Sequence, residues 1–206
     1  RLWPLNALIT LIRGGGGWPS PLGEMGFRIH RLELPVVTSL GTVVIDVVAV
    51  RADPPIVLAC EGKSGNNIAG LQARRYGALH SVDVRRLSEV PDGPLRVMYV
   101  CFEESVSRIR MGLAEASINA SVVSIGSRRA QLFPASDAED LSFDVPLPAI
   151  PPPSYIPVDP DSPDDEYREL LVPAVVAFAA RSSPRGPVRT LLEQARPRWT
   201  HLPGGQ

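Results

Sequence analysis

The segment Thr42 to Val50, TVVIDVVAV, constrains the chain most. It is apolar and β-branched almost throughout, the composition of a strand covered on both faces rather than of a half-exposed one. A chain with such a strand needs a sheet with helices packed on it, so the segment points to an α/β architecture. It also carries one anomaly. Asp46 sits at its middle, between Ile45 and Val47, and an ionised carboxylate there is costly unless it is paired or binds a cation.

The neighbouring segments fit a sheet. Phe27 to Thr38 reads as a strand, Ser39-Leu40-Gly41 as a turn, Asp53-Pro54-Pro55 as a second turn, and Ile56 to Lys63 as a third strand. Together they form an antiparallel meander. Ser64 or Asn66 can cap a helix running to about His80, Arg96 to Phe102 is a fourth strand, Ser105 to Ala116 a helix, and Ala120 to Ile125 a fifth strand. The order β-β-β-α-β-α-β predicts a mixed sheet flanked by helices, with strands three and four parallel across the first helix. Ahead of this core, residues 4–13 predict a short amphipathic helix. Gly14 to Gly17 then read as a flexible hinge and not a phosphate loop, since no Lys-Ser or Lys-Thr follows. Residues 1–23 are therefore an N-terminal helix with a Gly-rich linker, and 24–133 the core.

Beyond Phe133 the character changes. Residues 146–163 hold eight prolines, and acids cluster from Asp137 to Glu169. Residues 134–163 read as a linker or a strap laid over the body, and 164–206 as a helical appendage with helices at 164–181 and Val188 to Ala195. The 206 residues carry a net charge of −1, unevenly spread. Residues 1–131 hold 14 Arg, one Lys and 11 acids, net +4, whereas residues 132–206 hold 6 Arg and 11 acids, net −5. A mildly basic body with an acidic tail is compatible with nucleic-acid binding without requiring it. No apolar run approaches the roughly 20 residues needed to span a bilayer, and the start does not read as a signal peptide. Cys60 and Cys101 lie inside expected strands and read as reduced, buried thiols of a cytoplasmic protein.

Lys63 is the only lysine, against 20 arginines. A lone Lys in such a chain marks a place where a compact, tunable point charge is wanted and a planar guanidinium will not serve. Glu61 and Lys63 are two apart on a strand and share a face, with Cys60 and Gly62 turned the other way. If the turn at 53–55 makes a hairpin, Asp46 and Glu61 lie at similar depth on adjacent strands. Two neighbouring carboxylates repel unless a divalent cation lies between them, and magnesium is the natural choice for oxygen ligands. Lys63 beside it can orient the attacking water and stabilise charge on a phosphate, which is metal-assisted phosphoryl-transfer chemistry. Plainer readings are an Asp46 ion pair with Arg51 or Arg74 and a simple Glu61–Lys63 salt bridge.

Asp46, fourteen residues, then Glu61-Gly62-Lys63 resembles the D…(D/E)-x-K motif of the PD-(D/E)XK nuclease superfamily, and the expected element order resembles its restriction-endonuclease-like core. Gln72-Ala73-Arg74-Arg75-Tyr76 on the next helix resembles the Q-x-x-x-Y element of the RecB-like branch. The resemblance covers roughly residues 24–126. Ile45, not Pro, precedes the acid. Asp53 beside Pro54 is a competing motif acid, disfavoured because it lies in the turn. What the resemblance implies is a Mg²⁺-dependent nuclease, Mn²⁺ able to substitute. Asp46, Glu61 and the Gly62 carbonyl would hold metal, Lys63 would be catalytic, and Gln72 and Tyr76 would face the site. A further acid from an upstream helix would be Glu24, with Glu33 the alternative. DNA is the expected substrate and RNA the other possibility. A catalytically silent nuclease-fold module that binds nucleic acid or protein is the competing function. Arg74, Arg75, Arg85 and Arg86 are candidate phosphate contacts. His30, His80 and His201 have no partners at ligand spacing. Arg185, Arg189, Arg196, Arg198 and Trp199 hint at a nucleic-acid, protein or homodimer contact through the C-terminal region.

Overall fold

A computed structural model describes residues 2–155, apart from 66, 67, 69, 89 and 91, together with a few positions between 165 and 180. Its elements are α1 (Leu2–Arg13), α2 (Pro21–Glu24), β1 (Arg28–Thr38), β2 (Gly41–Ala52), β3 (Pro55–Lys63), α3 (Gly70–Gly77), α4 (Ser81–Ser88), β4 (Leu95–Phe102), α5 (Val106–Glu115), β5 (Ala120–Ile125), β6 (Arg129–Phe133) and β7 (Asp144–Pro146). The strands form one seven-stranded sheet in sequential order. β1–β2 and β2–β3 are antiparallel, and β3–β4 and β4–β5 are parallel across the helices between them. β5–β6 and β6–β7 are antiparallel. The expected mixed sheet flanked by helices is thus present, with two more strands than the sequence indicated.

The helix expected up to His80 is two helices. α3 starts only at Gly70 and ends at Gly77, where an added Cβ would meet Ile118 Cδ1 at 2.4 Å. α4 restarts at Ser81. Gly77 therefore lets the end of α3 pass directly against the segment leading into β5.

The two sheet faces bury separate sets of side chains. On one face Ile56, Leu58 and Cys60 of β3, Met98 and Val100 of β4, and Val123 and Ile125 of β5 pack against α1. On the other, Val57 and Ala59 of β3 meet Tyr76, Leu79 and Val84 of the α3–α4 pair, while Tyr99, Cys101 and Val122 meet Ile109 and Leu113 of α5. Cys60 and Cys101 are free and lie on opposite faces, so the sheet keeps them apart.

α1 differs from the amphipathic helix expected. Every residue from Pro4 to Ile12 is buried. Burial of Leu5, Leu8, Ile9, Leu11 and Ile12 contributes on the order of 10 kcal/mol before the entropy of ordering the helix. The second cover is the segment after β6. Ala135, Ala138, Leu141, Leu147 and Tyr155 are buried in the same cluster as α1. The Tyr155 N–H donates to Asn6 Oδ1 at 2.7 Å, Trp18 Nε1 to the Ile150 carbonyl at 3.0 Å, and the Tyr155 hydroxyl to the Gly14 carbonyl at 3.2 Å. Residues 134–155 are thus a strap that belongs to the body, and the core does not end at 133. Gly14 to Gly17 form a defined turn under that strap, each at positive φ, where other residues are strained. Most of the expected helix at 164–181, and all of that at Val188 to Ala195, lies outside the described residues.

Candidate active site

The β2–β3 register pairs Val47 with Cys60, Val48 with Ala59 and so on to Ala52 with Pro55. One step beyond the Val47 pair, Asp46 stands level with Glu61. The ladder gives way there because Asp46 uses its side chain instead: Oδ2 accepts the Gly62 N–H at 2.8 Å. The strand alternation also slips at this point. Val43 and Ile45 pack on the α3 face with Val48, while Val47 and Ala49 pack on the α1 face. β1 slips beside it, with Leu34 and Val36 on the α3 face and Leu32 on the α1 face. Glu33, between them, has φ 51°, an uncommon backbone state for Glu.

β3 keeps strict alternation, so Glu61 and Lys63 share the α3 face with Val57 and Ala59. Gly62 faces α1, where a Cβ would meet Cγ and Cδ2 of Leu5 at 2.6 Å. Only a glycine between the acid and the lysine allows α1 to lie this close.

From α3, one helical turn apart, Gln72 and Tyr76 reach down to Glu61. Gln72 Nε2 donates to Glu61 Oε1 at 2.7 Å, and the Tyr76 hydroxyl donates to Glu61 Oε2 at 2.6 Å. Lys63 Nζ lies 2.9 Å from Glu61 Oε1 and donates to Gln72 Oε1 at 2.6 Å. Glu61, Lys63, Gln72 and Tyr76 thus form one closed network, with Asp46 joined to it through the Gly62 amide. Asp46 is 4% exposed and Glu61 3%. Burial, then the charges of Glu61 and Asp46, push the Tyr76 hydroxyl well above its ordinary pKa, so it stays a neutral donor. Asp46 also acts through the sheet: burial first, then the Asp46 charge, raises the Cys60 thiol.

The donor set suits a small hard cation. Two carboxylates against one lysine leave a net negative charge in a buried place, and oxygen ligands match Mg²⁺ or Mn²⁺. A carboxylate offers about four lone-pair positions. Three of those on Glu61 are taken by Lys63, Gln72 and Tyr76, which leaves room on Oε2. Among the described residues no group of three or more His, Cys, Asp or Glu is placed to hold a metal, so the site offers a carboxylate pair rather than a triad.

Other candidates fall elsewhere. Glu24 is exposed at the end of α2, two residues before Gly26, which packs against Arg51 at the far end of β2. Glu33 stands level with Asp46 on β1, by the pairs Leu32–Val47 and Leu34–Ile45. Asp53 is in the β2–β3 turn. Arg51 pairs with Asp140 at 3.2 Å and donates to the Pro54 carbonyl. Arg74 and Arg86 are exposed, Arg75 donates to the Leu40 carbonyl, and Arg85 pairs with Asp92. Arg74 and Tyr76 line a cleft of about 530 Å³ with Leu79, Arg96 and Ile118, so the cleft borders the site. His30 is in β1 and His80 is exposed between α3 and α4. His201 and the C-terminal Arg and Trp residues lie outside the described residues.

Tyr99 was not singled out by sequence. It lies level with Glu61 across the parallel β3–β4 pair, and its ring centroid is 5.7 Å from that of Tyr76. The available signal was the one hydroxyl in the strand RVMYVCF. No protein-family model, curated protein or solved structure matches this chain.

Proposed function

We propose that this chain is a metal-dependent nuclease of restriction-endonuclease-like architecture that hydrolyses phosphodiester bonds, in DNA before RNA. The observation that carries the proposal is the convergence of Asp46, Glu61 and Lys63 at the β2–β3 pair, with Gln72 and Tyr76 clasping Glu61 from the next helix. A divalent cation, Mg²⁺ with Mn²⁺ as substitute, supplies Lewis acidity and an activated water when bound. Asp46 and Glu61 would hold it, with the Gly62 carbonyl beside them.

The chain's own residues do the rest. Tyr76 and Gln72 fix the orientation of Glu61, and Lys63 places the only lysine of the chain against that carboxylate. A cation there stabilises charge that develops on a phosphate oxygen. The cleft lined by Arg74 and Tyr76 offers a concave approach for a nucleic-acid backbone. DNA defence, repair or mobile-element biology in the cytoplasm is the setting proposed, with a homodimer or protein partner met through the C-terminal region.

One observation favours a second reading, a silent nuclease-fold module that binds nucleic acid or protein. Glu61 is 3% exposed and already accepts from three donors. The discriminating experiment incubates the protein with plasmid DNA, single-stranded DNA and RNA in Mg²⁺, Mn²⁺ or EDTA. Divalent-dependent cleavage that Lys63→Ala abolishes, with its circular dichroism unchanged, supports the nuclease. Cleavage that survives Lys63→Ala removes the catalytic assignment. DNA retained on a gel but never cut supports the silent module.

A further inference from the structure

We propose that Tyr99 is a positioning residue of the cation site: its hydroxyl hydrogen-bonds a water brought in by the divalent cation that Asp46 and Glu61 hold. The inference rests on the reading of those two carboxylates as a cation site, and extends it to a residue on a third strand.

One buried group beside the site is unpaired. Tyr99 is 0% exposed, and its hydroxyl has no hydrogen-bond partner. Buried hydroxyls almost always have a partner, and one without a partner calls for an explanation. Tyr99 stands directly beside Glu61 in the β3–β4 register and on the same sheet face. Its ring leans on Tyr76, whose own hydroxyl is bound to Glu61. The two tyrosines differ in one respect: Tyr76 has its acceptor and Tyr99 does not. A phenol can donate and accept, and Tyr99 stands one strand from the Glu61 carboxylate.

No acceptor among the described residues is placed within hydrogen-bond reach of the Tyr99 hydroxyl. Glu61 Oε1 accepts from Lys63 and Gln72, and Oε2 accepts from Tyr76. A partner for this hydroxyl can arrive with a ligand. Mg²⁺ and Mn²⁺ held by one or two carboxylates keep several waters, and those waters need acceptors and donors around them. A neutral phenol one strand from Glu61 is placed to serve one of them.

The test is Mn²⁺ binding to the full chain, read as free Mn²⁺ by electron paramagnetic resonance, together with the melting temperature in EDTA. Wild type, Glu61→Gln and Tyr99→Phe are compared. The expected result is binding in the wild type, loss in Glu61→Gln, and affinity about tenfold weaker in Tyr99→Phe. In EDTA, Tyr99→Phe should melt no lower than wild type, because the deleted hydroxyl had no partner. Affinity within twofold of wild type would overturn the proposal and leave the cation site standing. A lower melting temperature in EDTA would also overturn it, by revealing a partner within the fold. A wild type that binds no Mn²⁺ would overturn both the cation site and the role of Tyr99. Mn²⁺ binding sensitive to Tyr99→Phe, in a protein that never cleaves nucleic acid, would uphold the proposal while removing the nuclease reading.

Discussion

Gly62→Ala should unsettle the junction between the site and the N-terminal helix. A Cβ at position 62 meets Cγ and Cδ2 of Leu5 at 2.6 Å, about 1 Å inside ordinary carbon–carbon contact. Cγ is the branch point of the side chain, so rotation of a terminal methyl does not relieve the overlap. Leu5 is 0% exposed and its helix is held beneath the strap, so α1 has little room to retreat. Overpacking of this kind costs about 1–3 kcal/mol. Two kcal/mol in a chain of this size lowers the melting temperature by roughly 4–8 °C. Leu5→Ala alone leaves a cavity and costs about 2–5 kcal/mol. The double variant places the new methyl in the space that Leu5 vacates, so the two costs should not add. The coupling should exceed about 1 kcal/mol, in the range found for residues in direct contact. Urea denaturation of the four proteins measures it. A neutral Gly62→Ala, or a double variant at the simple sum of the singles, would refute the claim that this glycine is demanded by the approach of α1.

Two further outcomes follow from buried groups. The Cys101 thiol is raised from 9.0 to about 12 by burial and by Glu104, so the unfolded chain ionises first. The stability it lends is complete below pH 9 and is lost as pH rises towards 12; urea midpoints should fall across that window, and less steeply in Cys101→Ala. Asn6→Ala should leave the Tyr155 N–H without its buried acceptor, at a cost of about 1–3 kcal/mol. Limited proteolysis should then cut within residues 147–155 faster than in wild type, and an unchanged digestion rate would refute the clamp.

The candidate site was largely legible because its information is local. The short turn at 53–55 sets the depth of Asp46 against Glu61, the two-residue spacing sets the shared face of Glu61 and Lys63, and the four-residue spacing sets Gln72 under Tyr76. What escaped the sequence depends on distant partners. The pattern of residues 4–13 cannot say whether a second layer covers the helix, and here that layer comes from residues 134–155. β6 and β7 are five and three residues long, too short for a period to stand out. Glu33 and Asp46 mark a slip of alternation that no propensity signals, because it requires both strands to turn over together. Tyr99 looks like any core tyrosine until its hydroxyl is seen to lack an acceptor.

The strap also imposes an order on biosynthesis. The hydrogen bond that locks α1 joins Asn6 to Tyr155, 149 residues apart. Translation at about 5–20 residues per second separates their appearance by roughly 7–30 s. Throughout that interval the ribosome holds out an apolar helix whose outer cover has yet to be made. Burial of that helix is completed only when the proline-rich stretch that covers it has been made.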